Sequence, residues 1–161
     1  MATNCIVLPY LVGESGYTST MRPLEPGLRI RAYQLQSRLG IGAHGEVWLA
    51  TGPQGEEVAL KAVAVSRSAG KDAAQEQTVR EEFERLRTIH LPSVVRVLDV
   101  GSDQGYLFFT MDVALGLQMD AAVAKRSSLA ERIQCTAQAG ADVARALAAM
   151  HRQGLAHRDI K

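Results

Sequence analysis

The sequence predicts an α+β fold: a five-stranded antiparallel sheet with one helix inserted after the third strand, followed by further helices. Three observations predict it. The runs 33–39, 46–51 and 57–65 are short, rich in Val, Leu and Ala, and separated by glycine-bearing turns. After a loop at 66–71 the hydrophobic period turns helical, then returns to strand-like runs at 94–100 and 105–113. Finally, Ser128-Leu129-Ala130-Glu131 is a capping box that opens a long apolar stripe.

The elements follow in order. Residues 1–28 hold Pro9, Gly13, Gly16, Pro23, Pro26 and Gly27 and read as a loose leader. The first three strands start at Tyr33, and Gly52-Pro53-Gln54-Gly55 joins the second to the third. Asp72 caps the inserted helix, with Val79, Phe83, Leu86 and Ile89 on one face. That helix ends at His90-Leu91-Pro92, because the residue before a proline is pushed out of the α region. The last two strands turn through Gly101-Ser102-Asp103-Gln104-Gly105. A short helix at 118–126 precedes the long one, whose stripe is Leu129, Ile133, Ala137, Gly140, Ala144, Leu147 and Met150, with Gly154 at its C-terminal end.

Composition narrows the function. The 161 residues are 47% hydrophobic and 22% charged, a globular profile that excludes collagen-like, disordered and disulfide-framework chains. Lys and Arg number 18 against 17 Asp and Glu, so no basic field points to nucleic acid. Cys5 and Cys135 are far apart, with no CxxC and no histidine at ligand spacing, which argues against a metal site and for a reducing compartment. No apolar run approaches the roughly 18–20 residues that span a bilayer. The apolar stretch 5–12 lacks the basic start of a signal peptide. A cytoplasmic location is the expectation.

Four motifs carry chemistry. Gly40-Ile41-Gly42-Ala43-His44-Gly45 lets backbone amides approach phosphate oxygens, since no Cβ stands in the way. A strand rather than a helix follows Gly45, so the dinucleotide-binding reading fails on context, while an ordinary glycine-rich hairpin stays open. Val58-Ala59-Leu60-Lys61 lies on the third strand, where alternation puts Ala59 and Lys61 on one face. A lysine between apolar neighbours is ordinarily a snorkelling edge residue; sixteen residues beyond Gly45 it is also placed to grip phosphates. Glu81 and Glu82 compete as its carboxylate partner on the helix, and Glu82, bordering the buried stripe beside Phe83, is preferred. Last, His157-Arg158-Asp159-Ile160-Lys161 follows the long capped helix, although Arg and Asp side by side are usually just solvated loop charges.

Together, in this order and context, these motifs resemble the protein-kinase signature set from Tyr33 to Lys161. The chain resembles a bacterial or eukaryotic-type serine/threonine protein kinase. The resemblance implies a small lobe over 29–113, then a hinge and the start of a large lobe over 114–161. It implies ATP as the nucleotide, with Gly40, Gly42 and Gly45 over its phosphates and Val47 and Ala59 against adenine. Lys61 would contact the phosphates and pair with Glu82. Met111 would be the gatekeeper, with Asp112 and Ala114 offering backbone groups to adenine, although the run 108–114 also fits a purely structural edge strand. Asp159 would be the catalytic base, and Lys161 would steady the transferred phosphoryl group. His157, Leu86 and Val97 match packing positions. The implied partner is a protein with a serine or threonine acceptor.

The sequence stops at Lys161, inside the motif, and contains no Asp-Phe-Gly. Magnesium is expected for the family, yet none of these residues can be assigned to hold it. The expectation is therefore an N-terminal kinase fragment, inactive alone. The alternative is a pseudokinase-like module that binds nucleotide or a partner without transfer.

Overall fold

The computed structural model describes residues 22–42, 45–64, 72–114 and 116–156; in the helix at 72–87 it describes side chains only at 77, 80, 81 and 83–87. The described residues form two compact units. A sheet unit holds 22–87 and 96–113, and a helical unit holds 88–95 and 114–156.

The sheet unit contains β1 (Arg29–Ile30), β2 (Tyr33–Gly42), β3 (Gly45–Thr51), β4 (Glu57–Ala64), α1 (Asp72–Arg87), β5 (Val97–Asp103) and β6 (Tyr106–Met111). The strands form one antiparallel sheet in the order β1-β2-β3-β4-β6-β5. Five strands were expected, and the sixth, β1, is a two-residue addition. Ile30 is fully buried and seats a segment too short to show a period. Residues 22–28 belong to the expected leader, yet Leu28 is buried, Leu24 is partly so, and the Gly27 N–H donates to the Leu35 carbonyl at 2.7 Å.

β6 lies between β4 and β5 and is buried along its whole length, which explains its unbroken Tyr-Leu-Phe-Phe-Thr-Met run. One face of the sheet carries the main core: Ile30, Tyr33, Leu35, Trp48, Leu60 and Phe108 among others. Tyr33 meets Phe108 edge-on at 5.9 Å between centroids. The β5–β6 turn is tighter than expected: only Gln104 and Gly105 form it, both with positive φ, as a two-residue hairpin requires. Gly101 stands inside β5 rather than in the turn, where a Cβ would press on Phe108 and Arg31.

β1 and β5 are the two edges of the sheet, and side chains join them. The Arg31 N–H donates to Asp103 Oδ2 at 2.7 Å, and Gln104 Nε2 donates to the Arg29 carbonyl at 2.6 Å. The Tyr33 hydroxyl donates to Asp99 Oδ2 at 3.1 Å, and burial, with the Asp99 carboxylate adding, holds that hydroxyl above its ordinary pKa. The Arg31 guanidinium lies over the Phe108 ring. The sheet is therefore curled until its edges meet. α1 packs on β5, burying Phe83 and Leu86.

The helical unit contains α2 (Met119–Ala124) and α3 (Leu129–Arg152). The capping box is formed: the Glu131 N–H donates to Ser128 Oγ at 3.2 Å, and the Ser128 N–H donates to Glu131 Oε2 at 3.2 Å. At the other end the Gly154 N–H reaches the His151 carbonyl and the Leu155 N–H the Met150 carbonyl, a Schellman closure. The buried line of α3 differs from the expected stripe. It is Cys135, Ala139, Ala146, Ala149 and Met150; of the expected stripe Met150 is buried as expected, while Leu129 and Ile133 are 73% and 60% exposed. α3 carries two apolar lines, and the mostly small-residue line is the buried one; α3 packs on α2, and the Ser93 hydroxyl reaches the Asp142 carbonyl.

Candidate functional site

Strand register gathers the small-unit candidates onto the face of the sheet opposite the main core. Gly40 pairs with Val47, Val47 with Lys61, Lys61 with Phe109, and Phe109 with Val100, a row across five strands. Beside it runs a second row, Leu49, Ala59, Met111 and Val97. Directly opposed residues of an antiparallel pair share a face, so Val47, Ala59, Lys61 and Met111 stand together as expected.

The glycines of the β2–β3 hairpin differ in what requires them. Gly45 has φ +105°, and a Cβ there would lie 2.1 Å from the Ala62 carbonyl oxygen on β4, so the fold itself demands glycine. At Gly40 a Cβ would meet nothing within 4 Å, so packing makes no such demand; the vacant space lies beside the row that carries Lys61. Ala43 and His44 lie outside the described residues, and Gly42 is placed only by its pairing with Gly45. On the reverse face Glu46 accepts from Trp48 Nε1 at 3.1 Å and pairs with Arg38 at 3.6 Å, which stiffens the hairpin.

Lys61 is half-buried, with Nζ 5.8 Å from the centre of the Phe109 ring, and it shares its face of the sheet with Val47 directly opposite and Ala59 two residues before it. Of its two candidate partners, Glu81 is exposed and accepts from Gln77 Nε2 at 2.9 Å, one turn earlier on the surface of α1. The Glu82 side chain lies outside the described residues. Its backbone is helical and immediately precedes the buried Phe83.

Met111 is fully buried at the end of β6. The Asp112 N–H donates to the Arg96 carbonyl at 3.0 Å, so of its backbone groups the carbonyl is the one left to offer a ligand. Ala114 is exposed and belongs to the helical unit. His157, Arg158, Asp159, Ile160 and Lys161 lie outside the described residues.

Leu39 was missed in the sequence. The β2–β3 register shifts between Arg38 and Gly40, and at this bulge Leu39 is an apolar side chain 53% exposed next to the open glycine. Its signal was present, a leucine immediately before the first glycine, but it lies in phase with Tyr33 and Leu35, so alternation alone would send it to the core face.

Comparison with known proteins identifies the family. Residues 33–161 match the protein kinase domain family. The chain belongs to that family. Within it the relatives are serine/threonine kinases. The chain is 35% identical over 139 residues to the serine/threonine-protein kinase PkaB of Streptomyces coelicolor, covering 84% of this chain and 30% of that protein. It is 33% identical to the probable serine/threonine-protein kinase PkwA of Thermomonospora curvata, covering 88% of this chain and 19% of that one. Among solved structures it resembles the kinase domain of Mycobacterium tuberculosis PknI, with a TM-score of 0.65 and 27% identity over 87% of this chain and 56% of that one. The chain thus spans less than a third of the length of these curated relatives. The expected α+β architecture, the small lobe and the first helices of a large lobe, is the architecture of this family. No helix among the described residues is long and apolar enough to cross a membrane.

Proposed function

We propose that the chain supplies the nucleotide-binding part of an ATP-dependent protein kinase that transfers the γ-phosphate to serine or threonine. The observation that carries this reading is the cross-strand row. It sets the only lysine of β4 against Val47 and Ala59, beneath a glycine hairpin whose first glycine opens onto vacant space. Val47, Ala59 and the exposed Leu39 give an apolar surface for a purine. Backbone amides around Gly40 meet phosphate oxygens, and the Lys61 ammonium neutralises them. Glu82 orients Lys61. Asp159 accepts the proton of the substrate hydroxyl as its oxygen attacks the γ-phosphorus and the bond to the β-phosphate bridging oxygen breaks. Lys161 balances charge on the moving phosphoryl group. A lysine two positions after the aspartate favours serine and threonine over tyrosine.

Magnesium, when bound, neutralises charge on the phosphates. Among the described residues no three His, Cys, Asp or Glu side chains cluster to hold it. A second reading is a module that binds nucleotide or a partner without transfer.

The test joins the chain to the large-lobe residues of a related serine/threonine kinase and follows labelled γ-phosphate into a generic protein substrate. Asp159→Asn should abolish transfer and spare ATP binding. Lys61→Met should weaken both, Glu82→Gln should do so less, and Glu81→Gln should be nearly silent. Product containing phosphotyrosine alone, or full activity in Asp159→Asn, overturns the assignment. The 161-residue chain alone should bind ATP weakly and almost independently of magnesium. Calorimetry showing tight, strictly magnesium-dependent binding contradicts that.

A further inference from the structure

The ladder between β5 and β6 starts at Val97 opposite Met111 and is irregular from its first step, shifting register between Val97 and Asp99. Beyond Met111 only one main-chain bond continues it, from the Asp112 N–H to the Arg96 carbonyl at 3.0 Å. The side chains of the same two residues add what the ladder lacks. Arg96 Nε donates to Asp112 Oδ2 and Arg96 Nη2 to Asp112 Oδ1, each at 3.1 Å, a two-point fork onto the carboxylate. Three hydrogen bonds therefore join this single pair of residues, at the point where the chain leaves the sheet carrying the Asp112 carbonyl.

We propose that Arg96 is a positioning residue for base recognition: by clamping the Asp112 carboxylate it fixes the backbone at 111–113, and with it the carbonyl that meets a purine. This rests on the nucleotide-binding reading above and adds to it a residue outside every motif. The pair is solvent-exposed, 66% at Arg96 and 47% at Asp112. Exposed pairs contribute little to global stability, so the effect falls on local order. Arg96 touches no ligand in this scheme and acts through Asp112. An arginine is charged at any physiological pH, and hydrogen bonding to the Asp112 carboxylate holds this one above its ordinary pKa. An ordinary surface ion pair would leave purine affinity untouched, and that difference is measurable.

The experiment titrates adenosine and ATP into the 161-residue chain by calorimetry, for the wild type, Arg96→Met, Arg96→Lys, Asp112→Ala and the Arg96→Met/Asp112→Ala double variant. Amide exchange at residues 112 and 113 is followed in parallel. Arg96→Met should weaken adenosine and ATP alike, by about three- to fivefold. Arg96→Lys should recover part of the loss, and the double variant should be no weaker than either single. Exchange at 112 and 113 should accelerate in Arg96→Met while 46–50 is unchanged. Lys61→Met provides the contrast, losing ATP affinity and sparing adenosine. Normal wild-type binding with unchanged Arg96→Met affinity and exchange overturns this role and leaves the nucleotide reading standing. A wild-type chain that binds neither ligand overturns that reading and this role with it.

Discussion

The two units bury different kinds of side chain. In the sheet unit the fully buried residues include many large ones: Phe108, Phe109, Ile30, Leu35, Leu60 and Met111. In α3 the buried line is mostly small, Cys135, Ala139, Ala146 and Ala149, while Leu129 and Ile133 point outward. The sheet unit spends its apolar bulk on its own core, and its edges are tied to each other. On α3 the helical unit leaves Leu129 and Ile133 outside and buries mostly small residues, with Met150 the large exception. Burial of large side chains contributes about 1.5–3 kcal/mol each, whereas alanine contributes far less. The sheet unit should therefore carry most of the stability that these residues possess.

The contrast is broken most severely at Phe108. Phe108→Ala removes a fully buried ring in contact with Tyr33 and Arg31, and should cost about 3–5 kcal/mol, read as a lowered denaturation midpoint. Gly45→Ala comes next. It forces a Cβ toward the Ala62 carbonyl at a positive φ, at about 1–3 kcal/mol, and should weaken ATP binding as the β2–β3 hairpin shifts.

In the helical unit the loss of a local cap is smaller. Ser128→Ala removes the cap of α3 and should cost about 1 kcal/mol, seen as faster amide exchange in the first turn. The same site responds to acid. Bonds from Ser127, then from Ser128, hold the Glu131 carboxyl below its ordinary value of 4.5. Its contribution is thus present above that value and is lost as pH falls through the lower folded value. Exchange at 127 and 128 should accelerate only below about pH 4.5.

The smallest stability effect sharpens the comparison further. Leu129→Gln and Ile133→Gln should change stability by no more than about 0.5 kcal/mol, yet reduce aggregation measured by light scattering. Ending the chain near Ala114 should improve solubility in the same assay. If either glutamine variant unfolds the chain, that face is not the open surface the structure gives.

The sheet unit was the more legible of the two in the sequence, for physical reasons. Strand alternation has a period of two, so placing Lys61 also placed Ala59, and the glycine turn then fixed Val47 across from it. The capping box at Ser128 and the stop at Gly154 were local signals that needed no tertiary context. The buried side of α3 was not legible, because a helix with both Leu/Ile and Ala/Cys lines offers two candidate faces, and packing partners decide between them. β1 was too short to show a period. The Arg96–Asp112 fork was invisible for another reason: the residues lie sixteen apart, and only the register of β5 against β6 brings them together. Leu39 was hidden by a bulge, where alternation fails.

The ties between β1 and β5 have one more consequence. The outermost strand of an open sheet displays unpaired N–H and C=O groups, a template on which a strand from another chain can add. Here the Arg31 N–H, at the end of one outer strand, and the Arg29 carbonyl within it are already taken by the side chains of Asp103, the last residue of the opposite strand, and of Gln104 in the turn that follows it. One rim of the sheet thus occupies groups on the other that a passing polypeptide would otherwise recruit, and a curled sheet with its β1 rim occupied in this way resists growing into a fibril by strand addition at that edge.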